Sequence, residues 1–318
     1  MNLNSIAQHF SDSESARLFL EAQRWPDGAI CPFCGLIGES FRLTAKPNSK
    51  TPVRPGVWKC SGCRKQFTVT VGTIFEDSHI PLNTWLMAIH LLCSSKKGMS
   101  AHQLHRMLGV TYKSAWFMVH RIRYAMRQSD LFAKMGGTVE IDETYIGGKR
   151  RSQGQPGRMS KSAGCAPFAG KQAVVALVER GGSVHSHHVQ RVTAANLKPI
   201  IEASIEADAR IMTDSETVLK STLMGRKHYQ IDHFRDEYVR HENGLIITTN
   251  TVEGFFGLLK RGINGVYHHV GEQHLHRYLS EFDFRYNNRR ITDGERTCKL
   301  IRQVHGKRLT YRQIKPSE

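Results

Sequence analysis

Three carboxylates in the second half of the chain are placed where they could bind divalent metal ions. Asp142 lies in a short run in which Val139 and Ile141 alternate with acidic residues, as in a half-buried strand. Asp214 ends a later apolar run, and Glu253 stands near the start of a helical segment. Acidic residues on an exposed strand face are common, so Asp142 taken alone also fits an ordinary solvated strand.

The segments around these carboxylates alternate between strand and helix periodicity. A first strand is predicted between the glycine pairs at 136–137 and 147–148, followed by strands at 172–178, 183–190, 209–213 and 229–232. Helices are predicted to begin at Thr193 and to cover 218–224 and 251–261. The order βββαβαβα is that of the ribonuclease H fold, an α/β fold with a mixed sheet and flanking helices. Because its first and fourth strands are neighbours, Asp142 and Asp214 can meet.

A cluster of such carboxylates predicts phosphodiester chemistry. Two oxygen-loving divalent ions can activate a water or a 3′-hydroxyl and stabilise the leaving oxygen, and Mg²⁺ is the natural choice. Lys260 stands two helical turns after Glu253 on nearly the same face, where its ammonium could meet a phosphate. Asn250 and Glu253 also have the spacing of a capping box, in which Glu253 would accept a hydrogen bond from the Asn250 amide. Both roles of Glu253 stay open.

Four cysteines form two CxxC pairs, Cys31 with Cys34 and Cys60 with Cys63. Two such turns supply the four thiolates that a tetrahedral Zn²⁺ prefers, and four thiolates leave no open position for catalysis. A redox role would require a βαβ context, which this region lacks. A loop over 46–55 and a strand over 66–71 would complete a zinc ribbon with structural zinc.

Residues 81–128 change to helical periodicity and end in two short helices. Ser100 is predicted to cap the first and Thr111 the second, with a turn at Gly109 between them. This is the layout of a helix-turn-helix, whose second helix reads base edges in the major groove. A plain helical hairpin packed on the core is the alternative. The predicted DNA contacts of this helix are Tyr112, Lys113, Ser114, Arg121 and Arg123.

Charge and length narrow the class of protein. The 318 residues suffice for two or three domains. Forty-five Lys and Arg stand against twenty-eight Asp and Glu, with a net charge of +17 and a pI near 9.8, which predicts binding to a polyanion, above all nucleic acid. A basic Gly/Ser/Pro-rich segment over 149–171 is predicted to be a surface loop. Neither a membrane-spanning run nor a signal segment is present, so we expect a cytoplasmic, nucleoid-associated protein without a membrane partner.

Several motifs point to one family. They are RWPDG and CPFCG at 24–35, WKCSGCRKQFTVTVGTIFEDSHIPLNTW at 58–85, VEIDETYIGGK at 139–149, TDSE at 213–216, TNTVEGFFGLLKRGINGVYHHV at 249–270 and HRYLSEFDFRYNNR at 276–289. In these motifs the chain resembles bacterial insertion-sequence transposases of the DDE class, in the subgroup with an N-terminal zinc ribbon. The resemblance implies Asp142, Asp214 and Glu253 as a triad that binds Mg²⁺ or Mn²⁺, with Lys260 as the accompanying lysine. Lys260 and Arg261 are also predicted to contact DNA. In this subgroup the third ligand can be Asn, which keeps Asn250 as a contender.

The resemblance implies cleavage and strand transfer at the ends of an insertion sequence, with double-stranded element-end and target DNA as partners and a homo-oligomer assembled on DNA. One alternative is a DNA-binding regulator with a non-catalytic ribonuclease H-like scaffold, and another is a structure-selective nuclease. We predict a ribbon with its N-terminal helix over 1–75, a helical DNA-binding region over 76–135, a ribonuclease H-like catalytic domain over 136–290 and a basic tail over 291–318.

Overall fold

The computed structural model describes residues 10–44, 52–127, 134–147, 170–214 and 217–310. The chain folds as two compact units, the first formed by residues 1–126 with 290–318 and the second by residues 127–289. The predicted basic loop over 149–171 lies almost wholly outside the described residues. No helix in the described part of the chain is both long enough and apolar enough to cross a membrane.

The first unit begins with helix α1, Ser13–Arg24, followed by a small antiparallel sheet. Asp12 caps α1, since its Oδ1 accepts from the amides of Glu14 at 2.7 Å and Ser15 at 2.9 Å. The sheet has the order β1-β2-β3, with β1 at Ser40–Arg42, β2 at Trp58–Cys60 and β3 at Gln66–Phe67. The strand predicted over 66–71 is therefore shorter than expected, because the chain turns at once after β3, with the Val71 amide donating to the Thr68 carbonyl.

Three helices follow in the same unit: α2 at Leu82–Ser94, α3 at Ala101–Leu108 and α4 at Tyr112–Met126. The predicted caps of the last two are confirmed. Ser100 Oγ accepts from the Gln103 amide at 3.1 Å, and Thr111 Oγ1 accepts from the Ser114 amide at 3.2 Å. Between them Gly109 adopts φ of 65°, a left-handed conformation that glycine tolerates best and that ends α3 sharply.

The second unit is built on a five-stranded mixed sheet of order β6-β5-β4-β7-β8. Its strands are β4 at Thr138–Ile146, β5 at Gln172–Glu179, β6 at Val184–Val189, β7 at Arg210–Asp214 and β8 at Lys227–Ile231. β5 pairs antiparallel with β4 and β6, whereas β7 pairs parallel with β4 and β8. The predicted ribonuclease H-like fold is confirmed, and its first and fourth strands are neighbours.

The helices of this unit are α5 at Ala194–Ser204, α6 at Thr217–Thr222, α7 at Asn250–Gly262 and α8 at Leu275–Asn287. A π-helical turn at Ile263–Tyr267 continues α7. A small antiparallel hairpin was not predicted from the sequence. It is formed by β9, Arg240–Glu242, and β10, Leu245–Ile247. Its turn residues Asn243 and Gly244 have φ of 48° and 75°, so the Asn-Gly pair was the signal that could have predicted it.

Alternate residues of β4 face two different cores. Val139 and Ile141 pack with residues of α5 and α6, whereas β5 residues such as Ala176 and Val178 pack with α7 and α8 on the opposite face. Ala176 pairs with Asp142 in the β4-β5 ladder. The carboxylate of Asp142 is therefore on the face of the sheet that α7 covers.

Helix α8 is tied to the edge strand β6 by a buried carboxylate. Asp283 Oδ1 accepts from Ser186 Oγ at 2.6 Å, and its Oδ2 accepts from the Ser186 amide at 2.9 Å. Burial raises the pKa of Asp283 from the usual 3.8 of an aspartate to about 7. Because the folded-state pKa is raised, the stabilisation associated with the bound proton is complete below pH 4 and is lost as pH rises through 7.

We expect the free energy of unfolding of Asp283→Asn to rise relative to that of the wild type as pH rises from 4 to 8. The difference between the two proteins should grow by up to about 4 kcal/mol. Amide hydrogen exchange of β6 peptides is the suitable measurement, because all four Trp residues lie outside residues 127–289 and Trp fluorescence does not report on this unit. A difference in protection between the two proteins that stays constant from pH 4 to 8 would contradict the expectation.

The last helix, α9 at Asp293–Arg302, belongs to the first unit. Thr292 and Glu295 form a capping box at its start. His90 Nδ1 lies 3.0 Å from Thr297 Oγ1, and Arg296 Nη1 donates to the Cys93 carbonyl at 2.6 Å, so α9 is bound to α2. The prediction of a basic tail over 291–318 did not anticipate this helix.

Candidate active site

The parallel pairing of β4 with β7 brings two of the predicted carboxylates to neighbouring strands. Glu140 is paired with Met212, and two residues further along each strand lie Asp142 and Asp214. Paired residues of adjacent strands point to the same face, and such strands lie about 4.8 Å apart. Both aspartates are partly exposed. The β4-β7 pairing ends at Glu140 and Met212. If its register continues, Asp142 and Asp214 lie on the face covered by α7, and both are accessible to solvent.

The third predicted carboxylate, Glu253, is in the first turn of α7. Its Oε1 accepts from Thr249 Oγ1 at 3.0 Å and lies 3.3 Å from His233 Nε2. The Glu253 side chain keeps 46% of its surface exposed. It is thus held by groups at the start of its own helix and by the 3₁₀ turn after β8, but it is accessible to solvent.

The capping-box alternative for Glu253 is wrong in its detail. Helix α7 begins at Asn250, so the residue in the N-cap position is Thr249 rather than Asn250. The Asn250 amide donates to Thr248 Oγ1 at 3.2 Å, whereas Glu253 contacts the Thr249 hydroxyl. Helix α7 therefore starts one residue earlier than a capping box of Asn250 and Glu253 would require.

The three carboxylates are not gathered to metal-binding distance. Among the residues that the structure describes, the only group of three or more His, Cys, Asp or Glu ligand atoms that all lie within 4.8 Å of one another consists of cysteines. Asp142 and Asp214 lie on neighbouring strands, whereas Glu253 Oε1 contacts His233 and Thr249. The oxygen donors suit Mg²⁺ or Mn²⁺, and the exposed Glu253 side chain is the one that would have to turn.

The cysteine cluster is assembled as a closed site. Sγ of Cys31 lies 3.6 Å from that of Cys63, and Sγ of Cys34 lies 3.6 Å from that of Cys60. These separations match the roughly 3.8 Å expected between thiolates bound tetrahedrally to one zinc. A hydrogen bond from the Cys63 amide lowers the pKa of Cys60 to about 7. The Leu36 amide lowers the pKa of Cys34, but the neighbouring Cys31 and Cys60 thiols outweigh it and raise that pKa to about 11, so the fit to zinc rests on the sulfur geometry. The four residues fit the predicted structural Zn²⁺.

Comparison with protein families identifies both regions. Residues 134–287 match the ISXO2-like transposase domain, and residues 11–66 match the transposase zinc-ribbon domain. The chain therefore carries an ISXO2-like transposase domain preceded by a transposase zinc ribbon. The predicted family, insertion-sequence transposases with an N-terminal zinc ribbon, is thereby confirmed.

The chain is also similar to a protein of a transposable element and to two solved transposase structures. An uncharacterized protein in transposable element ISH50 of Halobacterium salinarum is 26% identical over 300 residues, which are 88% of this chain and 92% of the relative. The Mos1 transposase paired-end complex with left transposon end matches at 13% identity and a TM-score of 0.19, over 46% of this chain and 57% of that one. The Mos1 strand transfer complex matches at 11% identity and a TM-score of 0.21, over 63% of this chain and 75% of that one.

The residues predicted to contact DNA on α4 of the transposase fall into two groups. Tyr112 and Lys113 are exposed and Ser114 is half-buried at the N-terminal end of the helix, where they remain available. Arg121 and Arg123 are buried, with exposed fractions of 4% and 1%. Arg121 Nη1 donates to the backbone carbonyls of Ile74 at 2.6 Å and Glu76 at 3.0 Å, and burial lowers its pKa. The prediction that these two arginines reach DNA is corrected, because their side chains belong to the core of the first unit.

Lys260 and Arg261, near the C-terminal end of α7, are both exposed. Phe256 and Leu259 of the same helix are buried in the core against the sheet. The two cationic side chains are thus carried on an anchored helix with their charges in solvent. This arrangement suits contact with phosphate, as predicted.

Two polar residues of this region, Glu140 and Arg180, were not predicted from the sequence to have a role. Glu140 is fully buried and forms an ion pair with Arg180, whose Nε lies 2.6 Å from Glu140 Oε1. The alternation in β4 was a signal that Glu140 shares a face with Asp142, but an alternating strand does not reveal which carboxylate is buried. Nothing in the local sequence of Arg180 indicates a partner forty residues away.

Proposed function

We propose that this transposase catalyses metal-dependent cleavage of DNA strands and strand transfer at the ends of an insertion sequence. The observation that carries the proposal is the placement of Asp142 and Asp214 on adjacent parallel strands, facing α7, which bears Glu253. Two neighbouring carboxylates with a third on the covering helix form an oxygen-donor set suited to divalent ions. The family match over residues 134–287 supports the same reading.

In this proposal Asp142, Asp214 and Glu253 would hold Mg²⁺ or Mn²⁺. Bound there, divalent ions supply Lewis-acid activation of the attacking oxygen and stabilisation of the leaving oxygen. Glu253 joins the two aspartates by turning away from His233 and Thr249. Asn250, also in the first turn of α7, remains the alternative third ligand. Lys260 places its ammonium on a phosphate of the bound DNA, which holds the strand beside the carboxylates.

Double-stranded DNA is the proposed partner, both as element end and as target. The net charge of +17 provides the attraction to phosphate, while Tyr112, Lys113 and Ser114 at the start of α4 are the proposed base-reading residues. Because an element has two ends that must be processed together, we propose that more than one copy of the chain assembles on DNA.

The experiment that tests this function is a cleavage assay on duplexes that carry the element ends, identified as inverted repeats in the DNA flanking the gene. Mg²⁺-dependent cutting at the ends, followed by joining to a target plasmid, is expected. Binding of the ends without cutting in Mg²⁺ or Mn²⁺ would instead favour the DNA-binding regulator. Cutting that ignores the end sequence would favour a structure-selective nuclease.

The identity of the third ligand can be decided with Glu253→Gln and Asn250→Ala. The Glu253→Gln variant keeps the size of the side chain and a hydrogen bond to Thr249, so its melting temperature should change little while cleavage falls by about a hundredfold or more. Asn250→Ala should retain cleavage and lose less than about 0.5 kcal/mol of stability, because Asn250 is not the N-cap. Thermal melting and Mg²⁺-dependent cleavage are measured for both. An active Glu253→Gln with a stable but inactive Asn250→Ala would assign the role to Asn250.

A further inference from the structure

Glu140, two residues before Asp142 on β4, is a carboxylate with no exposed surface and a full set of hydrogen-bond donors. Its Oε2 accepts from the amides of Thr251 at 2.7 Å and Val252 at 3.0 Å. Its Oε1 accepts from Thr251 Oγ1 at 2.9 Å and from Arg180 Nε at 2.6 Å. Each oxygen thus serves two donors, which uses the acceptor capacity of an ionised carboxylate. Glu140 is therefore not available as a metal ligand.

The two amides that Glu140 binds belong to the first turn of α7. The first amides of a helix have no partner within it, and the N-cap residue Thr249 makes no side-chain capping bond. Glu140 supplies that cap from the sheet. Its negative charge also lies at the positive end of the helix dipole, so the contact stabilises both the charge and the helix start.

Arg180 extends this contact to the segment that leads into α7. Its Nη1 donates to the Ile246 carbonyl at 2.6 Å and its Nη2 to the Thr248 carbonyl at 2.9 Å. One guanidinium therefore joins Glu140 to the end of the β9-β10 hairpin and to the residue before the N-cap. A planar guanidinium with several fixed donors holds such an arrangement rigidly.

We propose that Glu140 is a positioning residue: it fixes the start of α7, and with it Glu253, relative to Asp142 on the same strand of the sheet. Glu140 precedes Asp142 by two residues, and Thr251 precedes Glu253 by two residues, so one buried carboxylate connects the supports of two metal ligands. This inference rests on the proposed function. Groups that orient ligands in this way typically change metal affinity or activity by 10–100-fold when removed.

The test is the Mg²⁺ dependence of element-end cleavage by Glu140→Gln. The glutamine has the same shape, but its NH₂ group replaces an acceptor and faces donors. We expect cleavage at saturating DNA to fall by about 10–100-fold and the half-saturating Mg²⁺ concentration to rise by a similar order, with DNA binding unchanged. A residue that only stabilised the fold would lower the folded fraction without changing the half-saturating Mg²⁺ concentration of the molecules that remain folded.

Two further variants keep the test decisive. Thr251→Val removes the hydroxyl donor but leaves the amides in place, and it should raise the Mg²⁺ requirement by roughly three- to tenfold; it replaces Glu140→Gln if that variant does not fold. Glu179→Gln is the matched control, because Glu179 accepts from the Gly136 amide at 3.2 Å and is paired with Val139, on the other face of the sheet. It should retain the wild-type rate and Mg²⁺ requirement.

The two proposals fail in different ways. If the wild-type protein does not cleave element-end duplexes in Mg²⁺ or Mn²⁺, the proposed function is wrong. If Asp142→Asn is inactive while folded Glu140→Gln or Thr251→Val keeps the wild-type rate and the wild-type Mg²⁺ requirement, the positioning role of Glu140 is overturned and the proposed function stands.

Discussion

Replacing Asp142 or Asp214 by Asn is expected to abolish DNA cleavage and joining while leaving the binding of element ends almost unchanged. The substitution preserves side-chain shape and removes one negative charge, so a ligand of the divalent ions is lost. Metal ions contribute several kcal/mol of transition-state stabilisation, which corresponds to a fall in rate of about a thousandfold or more. Binding to DNA persists because its free energy comes mainly from Lys and Arg on phosphates.

The measurement compares Mg²⁺-dependent cleavage with electrophoretic mobility shift on the same labelled duplex. Asp208→Asn is the matched control, since Asp208 is exposed in the turn before β7 and only six residues from Asp214. It should cleave and bind as the wild type does. Substantial Mg²⁺-dependent cleavage by Asp142→Asn or Asp214→Asn would remove that aspartate from the proposed triad.

The second large effect is expected from Cys60→Ser. Loss of one thiolate opens the four-cysteine site, and structural zinc in small sites contributes on the order of 10 kcal/mol to folding. The ribbon has only short strands and a small aromatic cluster. In this cluster the ring centroid of Trp25 lies 5.9 Å from that of Trp58 and 5.8 Å from that of Phe67. Without zinc this cluster is too small to keep the ribbon folded. We expect loss of zinc, local unfolding and loss of specific DNA binding.

Zinc content is measured by elemental analysis, with one Zn²⁺ per chain expected for the wild type, and unfolding of the ribbon by hydrogen exchange of peptides from β2. Cys298→Ser is the matched control, because Cys298 lies on α9 outside the cluster and its loss should leave the zinc content unchanged. Undiminished zinc together with wild-type protection of β2 in Cys60→Ser would contradict the assigned ligands.

Several features of this protein are determined by the sequence alone, because they depend on residues close together in the chain. The two CxxC pairs bring thiolates into tight turns whatever surrounds them, and the four cysteines do form one cluster. Ser100 and Thr111 cap α3 and α4 because an N-cap needs only a hydroxyl and the amide three residues on. The order of strands and helices along the second unit was predicted from periodicity, apart from the β9-β10 hairpin. The parallel pairing of β4 with β7 confirmed the fold.

Only the tertiary structure decided the roles of groups whose partners are distant in sequence. Arg121 was predicted to contact phosphate because its side chain is cationic. In the structure the side chain is buried and donates to the carbonyls of Ile74 and Glu76. Glu140 and Asp142 are two similar acids on one strand face, but α7 covers the first and leaves the second partly exposed. The start of α7 also depended on contacts from β4. The burial of a side chain and its hydrogen-bond partners are set by how the helices and strands pack. Periodicity cannot supply them, because it indicates only which face of an element a residue occupies.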